Sequence, residues 1–105
     1  MPHVVVAGPA TWNMMVEVPA FPEPRPQTVF ATGHHEGLGG TSAGKALTLA
    51  RLSVDVTLWT ALGDDDVAER IATALVHPRL TMAVARGAGP SERHLNLMTP
   101  DGARL

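Results

Sequence analysis

The segment Gly39-Gly40-Thr41-Ser42-Ala43-Gly44-Lys45 holds the residue types best suited to chemistry in this sequence. Glycines lack a side chain, so a ligand can approach the backbone there, and amides left free at a helix start can donate to hydroxyls or anions. Gly39-x-x-x-x-Gly44-Lys45 meets most of the phosphate-loop pattern, but Ala46 stands where that loop needs a hydroxyl on magnesium. The lead-in, His34-His35-Glu36-Gly37-Leu38, is not the buried apolar strand that such a loop follows. A dinucleotide fingerprint started at Gly37 and Gly39 puts Ser42 at its third glycine. Two readings survive: a tight turn into a helix with no ligand, or a backbone that a ligand approaches closely, with the free amides donating to its hydroxyls or anionic groups.

Other reactive side chains have plainer explanations. His34 and His35 point to opposite faces of a strand, and His34 with Glu36 supplies fewer ligands than a metal site needs. Asp64-Asp65-Asp66 could hold a cation, yet carboxylates at a helix start cap free amides and oppose the dipole. Lys45 reads as a solvated helix lysine. Trp59, within an apolar strand, reads as core, whereas Trp12, in a loop beside Asn13, is the tryptophan placed to stack on a ligand.

The elements that must position these residues alternate in type. Val4-Val5-Val6-Ala7, closed by Gly8-Pro9, suits a strand buried on both faces. Residues 14–18 form a second strand, stopped by an extended connector holding Pro19, Pro22, Pro24 and Pro26. Thr28 to Glu36 reads as an exposed strand. From Thr41 the period becomes helical through Ala43, Ala46, Leu47 and Ala50, with Thr41 or Ser42 as N-cap. Val54 to Leu62 is a strand ended by Gly63, and a second helix starts at Asp64-Asp65-Asp66 with Val67, Ile71, Ala74 and Leu75 inward. His77-Pro78 ends it, Arg79 to Ala85 is a further strand, and Arg86 to Pro90 is a loop. The tail from His94 reads as a hairpin whose return strand, Ala103-Arg104-Leu105, is short. Strands alternating with helices imply an α/β fold with a partly parallel sheet and added antiparallel strands.

With 105 residues the chain makes one domain, 1–105, with no room for a second. At 45% hydrophobic and 17% charged it is neither a disordered tract nor a membrane protein, and no apolar run reaches bilayer length. A net charge of -2, with eight scattered Lys and Arg, gives no field for nucleic acid. The lack of cysteine excludes a disulfide framework and thiolate metal sites. The start, Met-Pro-His-Val, has no basic n-region, so the expected location is cytoplasmic.

Several segments together resemble the ribokinase-like (pfkB) carbohydrate kinases. Gly39-Gly40-Thr41-Ser42-Ala43-Gly44-Lys45-Ala46, running on to Ala50-Arg51-Leu52, is similar to the family's first signature, a Gly-Gly pair opening a helix. Gly8-Pro9-Ala10-Thr11-Trp12-Asn13 resembles the first strand and turn, where an acidic or amide residue meets the sugar. Leu62-Gly63-Asp64-Asp65-Asp66 resembles the Gly-Asp-Asp segment that opens the next helix. The likeness covers essentially the whole chain and less than half of a family member. It implies an incomplete ribokinase-like fold, the N-terminal part only, with a sheet flanked by helices and a small β lid from 14–18, 28–36 and 92–105.

The resemblance further implies that Asn13, Gly39, Gly40, Thr41 and Gly44 line the pocket of a sugar or nucleoside. It implies ATP and Mg2+ for a full-length protein, with neither expected to bind this chain alone. Gly44 departs from the family's Asn, which bonds substrate hydroxyls, and Asn13 replaces the commoner Asp. A neutral amide still donates and accepts, but without the charge assistance of a carboxylate. The family's catalytic Gly-Ala-Gly-Asp motif has no counterpart, since Pro90 stands in the base position of Gly87-Ala88-Gly89-Pro90. The expected function is therefore the substrate-binding part of an ATP-dependent carbohydrate or nucleoside kinase, without its catalytic half and inactive alone. The alternative is a non-catalytic module that binds a small polyol or pairs with a second copy through its lid strands.

Overall fold

The computed structural model describes residues 2–105 and contains six strands and two helices in that range. In chain order these are β1 (His3–Ala7), β2 (Thr11–Glu17), β3 (Gly33–Gly39), α1 (Thr41–Arg51), β4 (Asp55–Leu62), α2 (Asp66–Ala74), β5 (Leu80–Arg86) and β6 (Arg93–Met98). They form two sheets. The first, in the order β1-β4-β5, is parallel throughout, with α2 crossing from β4 to β5. The second is a lid in the order β3-β2-β6, where β2 runs antiparallel to β3 and parallel to β6.

The core lies between the first sheet and the helices. Val56, Leu58 and Leu62 face it from alternate positions of β4, against Ile71 and Leu75. Ala43, Ala46 and Ala50 are the buried face of α1, and their small side chains bring that helix close to the sheet. Ala74, expected in the buried stripe of α2, is only half-buried, and Ala68 takes the buried place instead.

Five expectations besides Ala74 need correction. The first strand, expected to be buried on both faces, is an edge strand with Val5 exposed, because nothing covers that face of the sheet. The second strand starts at Thr11, earlier than residue 14, because β3 offers a register partner from Thr11 and β6 from Trp12. The third runs Gly33–Gly39 and leaves 28–32 irregular with Phe30 exposed: β2 offers partners as far as Glu17, whose register partner is Gly33. The helix that starts at Thr41 is capped by Gly40, with no side-chain bond from Thr41 or Ser42. Trp59 is 59% exposed and outside the core, because its parity on β4 turns it to the sheet face that carries no helix. The tail does turn back, with Thr99 N donating to the Ala103 carbonyl and a single bridge between Met98 and Arg104.

No helix among the described residues is long and apolar enough to cross a membrane.

Candidate functional site

Three chain crossings between the parallel sheet and the lid converge at one place: Gly8-Pro9-Ala10, Gly39-Gly40, and the segment from Gly87 to Glu92. Gly40 has φ 94, a left-handed conformation that costs any residue with a Cβ, and a Cβ there would lie 2.5 Å from the Pro9 carbonyl oxygen. That carbonyl also accepts from Ala43 N at 3.3 Å, so the start of α1 is pinned to the turn after β1. Ser42 Oγ reaches the Ala7 carbonyl at 3.4 Å. The amides of Thr41 and Ser42 have no acceptor within the helix, and no acidic residue sits in its first turn to oppose the dipole.

Asn13 is half-buried on β2. Its Oδ1 accepts from the buried Thr11 hydroxyl at 2.8 Å, which leaves the Nδ2 hydrogens as donors. A Cβ on Gly39 would collide with every terminal atom of that amide, so Gly39 is the surface on which the Asn13 side chain rests. The structure thus brings Asn13 and Gly39 into contact, with Gly40 next in the chain. Thr41 is exposed on the first turn of α1, and Gly44 is exposed one turn on, with nothing within 4 Å of where its Cβ would be.

Trp12 is not in a loop and does not share Asn13's surroundings. Consecutive residues of β2 face opposite sides, and Trp12 packs against the core while its Nε1 donates to Glu36 Oε1 at 3.3 Å. It lines a cleft of about 550 Å³ with Asp66, Glu69, Arg70 and Thr73 of α2. Glu36 also lies 3.9 Å from Arg70 Nη1, so one of the acidic residues near the histidines ties β3 to α2.

The acidic run proves to be more than a cap. Asp65 is the N-cap of α2, and its Oδ1 accepts from Ala68 N at 2.9 Å. The same carboxylate accepts from Ser91 N at 2.8 Å and Ser91 Oγ at 2.7 Å, while Ser91 Oγ accepts from Gly63 N at 3.0 Å. Ser91 is buried. Hydrogen bonds from the Ser91 hydroxyl, the Ser91 amide and the Ala68 amide hold the Asp65 carboxyl below the usual aspartate range. Next in the chain, the Glu92 carbonyl accepts from Trp12 N at 3.0 Å, so this knot sets where β6 leaves for the lid.

A concavity of about 700 Å³ opens beside the site, lined by Gly8, Pro9, Trp59, Thr60, Val84 and Glu92 among others. Sequence reasoning missed Glu92, His94 and the link from Asp65 to Ser91. Strand parity counted from Arg93 would have put Glu92 and His94 on one face; nothing local signals the pairing of Asp65 with a serine 26 positions away.

No family model and no curated protein matches the chain. Solved structures do. The chain is 25% identical to Arabidopsis thaliana ribokinase, solved with ribose and ATP, at a TM-score of 0.76 over 99% of this chain and 34% of that one. Ribokinase from Cryptococcus neoformans, in complex with ADP, matches at 23% identity and a TM-score of 0.77, over 98% of this chain and 32% of that one. Ribokinase from Giardia lamblia matches at 16% identity with a TM-score of 0.85, over 100% of this chain and 34% of the other. The chain therefore spans about a third of the length of these ribokinases.

Proposed function

From a chain that has the fold of the N-terminal part of a ribokinase-like kinase, we propose the acceptor-binding and lid part of a carbohydrate or nucleoside kinase. The observation that carries this reading is the Asn13 amide lying on Gly39, with its Nδ2 donors free, beside the two open amides at the start of α1. Together they offer several donors and a flat, side-chain-free floor, which suits the oxygens of a sugar or ribosyl ring. Thr41 and Gly44 complete the proposed pocket on the first turns of α1.

The glycine segment does not complete a phosphate loop for a nucleotide and its magnesium. Ala46 takes the hydroxyl position after Lys45, and β3, which leads into the glycines, belongs to the lid and not to the parallel sheet. No group of three or more His, Asp or Glu suited to a metal occurs among the described residues. The work of residues 2–105 is to bind the acceptor and, through the lid, to exclude water from it.

A calorimetric titration with ribose, glucose, fructose and adenosine tests the proposal on the wild-type chain and Asn13→Ala. At least one ligand should bind the wild type, and the variant should lose about ten-fold in affinity, the worth of one or two hydrogen bonds. Absence of binding to the wild type, or equal binding by both, would sink it.

One observation favours a second reading, association through the lid. The outer edge of β3 is unpaired in its sheet, and Met14 and Leu95, neighbours in register, are exposed together on the lid face away from Asn13. A concentration-dependent dimer that Leu95→Lys returns to monomer, without any ligand binding, would favour a non-catalytic pairing module.

A further inference from the structure

The lid carries polar groups beside Asn13 that the preceding reading leaves unused. In the parallel pairing of β2 with β6, Asn13 is opposite His94, so both side chains leave the same lid face. Glu92 precedes His94 by two residues, and its Oε1 lies 3.2 Å from His94 Nε2. On the other side of β2 the residue opposite Asn13 is Gly37, with nothing within 4 Å of where a Cβ would stand. The Asn13 face is therefore open on its β3 flank and walled by an imidazole and a carboxylate on its β6 flank.

Glu92 lines the 700 Å³ concavity together with Gly8 and Pro9, the turn against which α1 is pinned. The side chains of His94 and Glu92 are about half exposed, at 48% and 56%, so solvent and ligands reach them. Arg93, the cation adjacent in sequence, has the opposite parity and contributes its charge toward Asp65. The wall thus presents a carboxylate to the concavity without that cation to neutralise it.

We infer that Glu92, oriented by His94, is a specificity-determining residue, selecting hydroxylated ligands that carry an amino group and rejecting those that carry a phosphate. An ammonium donor facing Glu92 makes a charge-assisted hydrogen bond, whereas a phosphate would meet like charge. The inference rests on the acceptor-site reading above, with Asn13 as its anchor.

Titration calorimetry at pH 7.5 with glucose, glucosamine and glucose 6-phosphate tests it on the wild type, Glu92→Gln, His94→Ala and Asn13→Ala. The wild type should bind glucosamine about ten-fold more tightly than glucose, and glucose 6-phosphate more weakly than either. Glu92→Gln should bring glucosamine and glucose within about two-fold of each other, and His94→Ala should narrow the gap part-way. Asn13→Ala should weaken glucose and glucosamine alike and keep their ratio. A ratio unmoved by Glu92→Gln, or a wild type that prefers glucose or its phosphate, overturns the specificity inference alone. A wild type that binds ribose, fructose or adenosine but none of these three also overturns the specificity inference alone; if none of the six binds, or Asn13→Ala leaves binding intact, the acceptor-site reading falls and takes this one with it.

Discussion

Gly40 and Gly44 lie one helical turn apart and answer to opposite constraints. Gly40 is held at φ 94 with the Pro9 carbonyl oxygen 2.5 Å from where a Cβ would stand, so alanine there meets both a left-handed backbone and a clash. Gly44 is an ordinary helical position with open space around it, where glycine only wastes backbone entropy. Gly40→Ala should therefore destabilise the chain by at least about 1–2 kcal/mol, and Gly44→Ala should stabilise it by about 0.5–1 kcal/mol. Urea unfolding of the two variants beside the wild type measures both, and a neutral Gly40→Ala would remove the case for a pinned helix start. Asn13 and Gly39 were set in one proposed pocket by the family resemblance of their segments alone; their direct contact follows from the pairing of β2 with β3, which no local pattern announces. The place of Trp12 was not legible either, since a single residue shift between loop and strand decides which face it takes, and nothing local shows that Thr11 begins a strand paired with Gly39.

Among the elements, the helices and the parallel strands follow directly from local pattern: alanines at helical spacing in α1, alternation in β4, carboxylates opening α2. The lid was harder to read because its stability comes from pairing between segments distant in sequence, and Gly33–Gly39 has little strand propensity of its own. The Asp65–Ser91 knot joins the two systems, since it fixes the start of α2 and the departure of β6 with one carboxylate. Its pKa is lowered on folding, so its contribution is fully present above the unfolded aspartate value near pH 4 and is lost as pH falls through the lower folded value. Asp101, held down by the Thr99 hydroxyl and the Ala103 amide, adds in the same direction. The urea midpoint of the wild type should stay flat from about pH 7 to 5 and fall steeply below about pH 4. Asp65→Asn should be less stable at neutral pH and show a shallower acid loss, leaving the share of Asp101. Equal acid slopes in the two proteins would show that the knot does not form.

At the scale of the whole molecule, the chain is thin and long: 54 × 32 × 18 Å, with a radius of gyration of 16.4 Å. A compact domain of this length would have a radius near 13 Å. The excess has two sources, the lid that projects from the core and the missing second layer on the parallel sheet. Parallel sheets are ordinarily covered on both faces, yet here α1 and the core residues take one face while Val5, Trp59, Ala61 and Ala85 stand exposed on the other. The ribokinases that match are about three times as long, so in them the matched region is a minor part of the whole. With that face uncovered, residues 2–105 by themselves should bind a hydrophobic dye and associate as concentration rises. Replacing Val5 and Trp59 together by serine should reduce both effects while changing unfolding free energy by no more than about 1 kcal/mol, about 0.5 for each surface position. Sedimentation equilibrium with dye fluorescence decides it: a monomeric, dye-silent wild type would mean that the bare face is closed by a rearrangement of the chain itself, and that Trp59 is buried after all.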